Sequence, residues 1–468
     1  MSELCFESAT RLVELITSRQ VSCVEVLDAH LARIDAINPK LNAIVSLAPE
    51  LARTRAQQLD RDFPDHPPPL YGLPIAHKDL VLTRGIRTTF GSPLFKDHVP
   101  TIDDLIVERL RHAGAVCLGK TNVPEFGAGS QTFNTVFGAT RNPYDLDKTC
   151  GGSSGGAAAA LAARLLPIAD GSDFGGSLRN PAAFCNVVGM RPTPGRVPAF
   201  PTRNPWFDLP VQGPMARSVA DVALMLSTIA GEDPRVPLSL TEPGNAFFPV
   251  RAIAPRGLRV ALAPDLGGLP VEGAVRAAIE QIGSVVSSLG VRVELACPDL
   301  TDAREIFHVL RANSFRERFG SLAPAERAQL KDTIQWNLAQ GEALTIEAID
   351  RAWTLRTALY QRIAAFFGEF DFLLCPTTQV LPFSVDEPYV REIDGTPMND
   401  YLDWMQSCAQ LTVTGCPSIS IPAGFSAAGL PIGLQITARP RADADLLAFA
   451  QLIETATRHG SRPPTLDR

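Results

Sequence analysis

Two kinds of apolar spacing take turns along this chain. From Ser22, the segment SCVEVLDAHLARI sets Val24, Leu27, Leu31 and Ile34 at helical intervals, behind a serine three residues ahead of Glu25, the arrangement of a capping box. Residues 1–65 therefore read as helices laid against something larger. Between Leu73 and Leu118, short apolar runs such as LPIA and AVCLG alternate with helical patterns such as DDLIVERLRHAG. LRVALAP, VEGAVRAAIEQIGSVVSSLG and VRVELA repeat that alternation, FDFLLCP, CPSISIPAGF and GLPIGLQITA read as further strands, and DADLLAFAQLIETATRH as a closing helix. The expected fold is α/β: one large domain over residues 1–468 with a central mixed β-sheet flanked by helices. Residues 301–367 are helical and free of glycine motifs, a candidate cap over a site built elsewhere.

The least ordinary stretch is TCGGSSGGAAAALAARLLPIADGSDFGGSLRNPAAF, residues 149–184, where two Gly and Ser clusters flank a helix made almost wholly of alanine. Glycine permits unusual backbone dihedrals and close approach, and alanine lets a helix pack tightly, so both clusters are expected at one crowded place. The first cluster also fits G-x-S-x-G, the nucleophile elbow, which would make Ser153 or Ser154 the nucleophile. An elbow needs an entering strand, and residues 142–148 read instead as a polar turn. A phosphate loop fails for want of a Lys-Ser or Lys-Thr pair after the glycines. In the second cluster, the backbone N–H groups of Phe174, Gly175, Gly176 and Ser177 can converge on one point. That is what a tetrahedral oxyanion requires, each donor contributing ~3 kcal/mol. Ser177 then stands where a nucleophile would. None of the seven histidines offers an obvious base, whereas lysine can serve a serine in that role. Lys78, in GLPIAHKDL, directly follows an apolar run that would carry it into low-dielectric surroundings.

With these residues in place, the chain resembles the amidase signature family. CGGSSGGAAAA, GSDFGGSLRNPAAFC and VVGMRPTPGRVP carry the likeness, and GKTNVPEFG, GPMARSVADVALML, CPSISIPAGF and GLPIGLQI extend it over nearly the whole length. The resemblance implies a Ser-Ser-Lys triad. Ser177 would be the nucleophile, Ser153 a bridging serine on a non-proline cis peptide, and Lys78 a base that acts when neutral. Ser154, Asp173 and Arg179 would brace the glycine loop. The implied reaction is hydrolysis of the C–N bond of an amide, anilide, carbamate or cyclic amide through an acyl-enzyme, with no metal and no cofactor. Two positions depart from the family: Ser172, where Thr is common, and Phe174, where a small or branched residue is common. The alternative is the glutaminase subunit of a transfer-RNA amidotransferase, against which stands Asn180 in place of that subunit's Gln.

Composition narrows the partner. A formal net charge of −7, with Lys and Arg scattered, argues against a nucleic-acid groove or an anionic membrane surface. Nine cysteines without C-x-x-C spacing point neither to zinc nor to a disulfide framework. No signal peptide or long apolar run is present, so the expectation is a cytoplasmic monomer or homodimer acting on a small-molecule amide. Phe126, Phe133, Phe137 and Phe174 suggest an uncharged acyl group, although core packing would explain them equally well.

Overall fold

The computed structural model describes residues 4–466. Helix α1 (Ala9–Thr17) is followed by α2 (Cys23–Leu41), whose capping box forms as expected: the Glu25 N–H donates to Ser22 Oγ at 3.1 Å, and the Ser22 N–H donates to Glu25 Oε2 at 2.8 Å. Strand β1 (Ile44–Leu47), which the sequence pattern did not announce, precedes helix α3 (Pro49–Arg61). It pairs antiparallel with β3 (Val116–Thr121), which runs parallel to β2 (Pro74–Lys78), giving a three-stranded sheet in the order β1-β3-β2.

The larger sheet has eight strands: β4 (Ile168–Asp173), β5 (Val188–Arg191), β6 (Val211–Ala216), β7 (Arg259–Leu262), β8 (Arg292–Leu295), β9 (Phe372–Pro376), β10 (Ser418–Phe425) and β11 (Pro431–Ala438). Their order is β8-β7-β9-β11-β10-β5-β6-β4. β7 runs parallel to β8 and β9 and every other pair is antiparallel, so the sheet is mixed. Strand β4 lies at its edge, and Asp170 on β4 accepts the Lys78 N–H of β2 at 3.2 Å. The two sheets therefore meet where Lys78 sits.

The alanine-rich helix α4 (Gly155–Ala162) is buried along its whole length. A Cβ at Gly156 would lie 2.3 Å from the Asn122 nitrogen, so the helix approaches the small sheet more closely than any side chain would allow. Helix α5 (Arg179–Phe184) follows the second glycine cluster. Residues 301–367 fold mainly as α6 (Ala303–Phe319), α7 (Asp332–Glu342) and α8 (Ile346–Glu369). The closing helix α9 spans Asp443–Thr457.

One local expectation is corrected. The residues read as a polar turn form a tight hairpin in which Arg141–Asn142 pairs with Asp145–Thr149. Its residues are polar because the hairpin lies outside the large sheet, so the chain enters the first cluster from a surface strand rather than from the central sheet an elbow requires. All nine cysteines are free thiols, and no helix among the described residues is long and apolar enough to cross a membrane.

Candidate active site

Lys78 ends β2 with its side chain fully buried. Its Nζ lies 2.9 Å from Ser153 Oγ, 2.8 Å from Ser154 Oγ, 3.0 Å from Ser172 Oγ and 3.2 Å from the Ser172 carbonyl. An ammonium has three protons and no lone pair, whereas four oxygens surround this nitrogen. In the neutral amine one hydroxyl must turn and donate to Nζ. Burial pushes the Lys78 pKa down to about 7, against the opposing pull of Asp173 and Asp170. Near neutral pH the amine is therefore available as a base.

The two Gly and Ser clusters come together, as expected. The Ser154 N–H donates to the Ser177 carbonyl at 3.1 Å, and the Gly152–Ser153 peptide bond is cis. Past β4 the chain turns through residues 174–177. Gly176 has φ of +114°, and a Cβ there would lie 2.7 Å from that of Cys408, so this corner admits only glycine. Asp173 organises the turn. Its carboxylate accepts the Gly176 N–H at 2.9 Å, the Leu178 N–H at 3.1 Å and Arg179 through Nε at 3.0 Å and Nη2 at 2.9 Å. Burial alone would raise the Asp173 pKa, but the guanidinium groups of Arg179 and Arg191 and these hydrogen bonds hold it below the usual carboxylate range. Arg179 is anchored in turn by Gln435 at 2.6 Å and Thr412 at 2.8 Å.

Of the four N–H groups expected to converge, the Gly176 N–H is taken by Asp173. Those of Phe174, Gly175 and Ser177 make no hydrogen bond to the chain among the described residues. The Ser177 hydroxyl likewise has no partner there. Ser153, Ser177, Phe174 and Gly175 all line one cavity of about 520 Å³. Phe126 also lines it, whereas Phe133 and Phe137 do not: Phe133 underlies Lys331 Nζ, 3.8 Å from its ring centre, and Phe137 underlies the Arg87 guanidinium. The Phe174 ring packs edge-on against Phe207 and Phe307.

The sequence reading missed what stands behind Lys78. His77 Nδ1 lies 2.7 Å from Asp170 Oδ1, with both side chains buried. His77 adjoins Lys78 in sequence, but nothing in the chain announces its partner on β4. One group could be mistaken for a metal site, His308 with Asp400 and Asp403. Its carboxylates are already engaged within the chain: Arg304 Nη2 lies 2.7 Å from Asp403 Oδ1, and His308 Nε2 rests 3.2 Å from Asp400 Oδ2.

A family model described as Amidase matches residues 25–447. The acylamidase of Rhodococcus erythropolis is 34% identical over 462 residues, covering 98% of this chain and 97% of its own. A glutamyl-tRNA(Gln) amidotransferase subunit of Carboxydothermus hydrogenoformans is 34% identical over 491 residues, covering 98% of this chain and 99% of its own. The crystal structure of a bacterial aryl acylamidase of the amidase signature enzymes superposes with a TM-score of 0.89 at 30% identity, covering 98% of each chain.

Proposed function

This chain belongs to the amidase signature family, and from that premise we propose that it is a free-standing amidohydrolase using Ser177 as nucleophile, Ser153 as proton bridge and Lys78 as base. The observation that carries the reading is a buried amine with a pKa of about 7, held 2.9 Å from a serine hydroxyl that lines the same cavity as Ser177.

In the proposed reaction, neutral Lys78 takes the Ser153 proton as Ser153 takes that of Ser177, whose oxygen attacks the acyl carbon. The oxyanion is received by the N–H groups of Phe174, Gly175 and Ser177. Gly176 braces the turn through Asp173 instead, and Arg179 and Ser154 act at one remove by fixing the loop and the amine. Ser153 and Lys78 then return the proton to the departing amine, and water activated by the same pair releases the acid. Residues of α6 contribute to the cavity wall, and we assign that helical region the part of a cap within one domain.

A fluorophosphonate tests the assignment, because it reacts with the activated serine and leaves ordinary hydroxyls alone. Trypsin separates the candidates: Ser153 and Ser154 fall on the peptide from Thr149 to Arg164, and Ser177 on that from Leu165 to Arg179. The expected label is on the second peptide and disappears in Ser177→Ala, which also excludes Ser172. A label on the first peptide would overturn the reading.

The 34% identity to the Carboxydothermus protein favours a second reading, a glutaminase working with partner chains. Asn180, buried with its Nδ2 2.8 Å from Ser130 Oγ, stands where that glutaminase would have Gln. Turnover of simple amides by the purified chain alone supports the free enzyme. Activity confined to glutamine and to added partners supports the second reading.

A further inference from the structure

The cavity holding Ser177 is also lined by an arginine that the chemistry above leaves unused. Arg311, on α6, is 4% exposed. Its Nε and Nη2 donate to the Tyr401 hydroxyl at 3.2 and 2.9 Å, and Nη1 has no partner among the described residues. Its guanidinium carbon lies 4.7 Å from the centre of the Phe315 ring and 5.3 Å from that of Phe174. A guanidinium cannot discharge itself when buried, and a phenol oxygen and aromatic faces offset its desolvation without neutralising it, so an anion would complete its surroundings. Among the described residues, the other three arginines buried to this degree each have one: Arg179 and Arg191 have Asp173 at 2.9 and 3.5 Å, and Arg196 has Asp443 at 3.2 Å. Arg311 has no carboxylate within ion-pair distance among the described residues.

The rest of the cavity's charge leans the same way. Asp173 is matched by Arg179, and Asp208 is held by Arg356 through two bonds of 2.6 and 2.7 Å. Burial pushes the Asp104 carboxyl up to about 7, which weakens it as a counter-charge. Glu317 is the remaining lining acid, without a basic partner among the described residues, and it is only half-buried. Against it stand two exposed arginines at the mouth, Arg203 and Arg318, which line the same cavity without carboxylate partners among the described residues. The sequence pointed to an uncharged acyl group, and the cavity points to a charged one.

Resting on the reading of this cavity as the amide site, we propose that Arg311 binds a carboxylate of the substrate, so that the amides cleaved are half-amides of dicarboxylic acids. The intervening apolar segment would lie along Phe174 and Phe315.

The test compares nitroanilides of succinate, glutarate and adipate, each with one free carboxylate, against the nitroanilides of the monoacids of equal length. At least one diacid derivative is expected to surpass its uncharged match by about 30-fold or more in kcat/KM, and Arg311→Met should erase that ratio while changing the monoacid rate little. Tyr401→Phe, which removes the hydroxyl but keeps the ring, should retain the preference. If Arg311→Met does not fold, Arg311→Lys serves: loss of the planar fork should cut the ratio at least about threefold. Calorimetric binding of the unlabelled half-amides and uncharged amides separates this inference from the catalytic reading. Charge-dependent binding lost in the Arg311 variant supports the inference even if nothing is turned over. Equal binding and equal turnover across every matched pair, or an Arg311 variant that weakens both members alike, overturns it while leaving the amidase reading intact.

Discussion

Lys78 and Lys120 stand on paired strands, with Lys78 in register with Thr121 and Lys120 with His77, and both are fully buried. Burial lowers the proton affinity of both. Their neighbours differ. Lys120 donates to the Val81 carbonyl and, at 2.9 Å, to Thr83 Oγ1, with Asp79 nearby to favour its charge, and it takes no part in the cavity wall. Lys78 contacts three serine hydroxyls, and one of those serines, Ser153, is the proposed bridge to the nucleophile in the cavity. A depressed pKa thus marks a buried amine of either kind. What would make one of them a base is a hydroxyl relay from the amine into the cavity, the part proposed for Ser153.

The strongest attempt to break that contrast is to remove each lysine in turn. Lys78→Ala should lower kcat/KM about 10³-fold. Lys120→Met should leave kcat within a few-fold and cost about 2 kcal/mol of stability, because a buried carbonyl and hydroxyl lose their donor. Activity assays beside urea titrations decide it, and the reverse outcome would exchange the two roles. Next in size is pH. Since the neutral amine is the proposed active form, kcat/KM should climb about tenfold per unit below a pKa of about 7 and level off above it, a total of about 100-fold from pH 5. Asp170 holds the Lys78 pKa up, so Asp170→Asn should move the midpoint of the profile to lower pH. Stability carries the matching sign. The unfolded chain binds a proton that the folded one releases, so this lysine's contribution improves as pH rises from about 7 toward 10.5, visible as a midpoint shift absent from Lys78→Ala. A smaller loss, about tenfold, is expected for Ser154→Ala, which removes one of the amine's positioning oxygens. The smallest effect is none: EDTA should leave turnover unchanged, because the proposed proton relay ends at Lys78. Loss of activity restored by a divalent ion would mean that the relay is incomplete.

How far the sequence foretold this arrangement depends on where each residue finds its partners. The capping box at Ser22, the alanine helix and the strands rich in Ile, Val and Leu were legible because their signals are local. The meeting of the two Gly and Ser clusters was legible because small residues have few other uses beside so apolar a helix. Strand β4, at the centre of the site, was not legible. Its sequence IADGSD has the aspartates and glycine that isolated strands avoid. They are tolerated because Asp170 is matched by His77 from another sheet and Asp173 by two arginines. Arg311 was equally silent, since a helical arginine reads as a surface charge until the fold shows that it is enclosed. In sequence the Gly176 N–H looks like a free donor, because the turn that delivers it to Asp173 exists only in three dimensions.

The join between β2 and β4 gives the enzyme an internal gauge of its own assembly. Lys78 belongs to a sheet of three strands, while Ser177 hangs from the loop that leaves the edge of a sheet of eight, and the Lys78 N–H to Asp170 bond is one of the fixed points between them. With the proposed triad split between them, turnover would report the docking of the two sheets at a resolution no melting curve offers. On that assignment, a substitution that lets them slip by a fraction of an ångström would silence the protein while leaving it, by every bulk measure, folded.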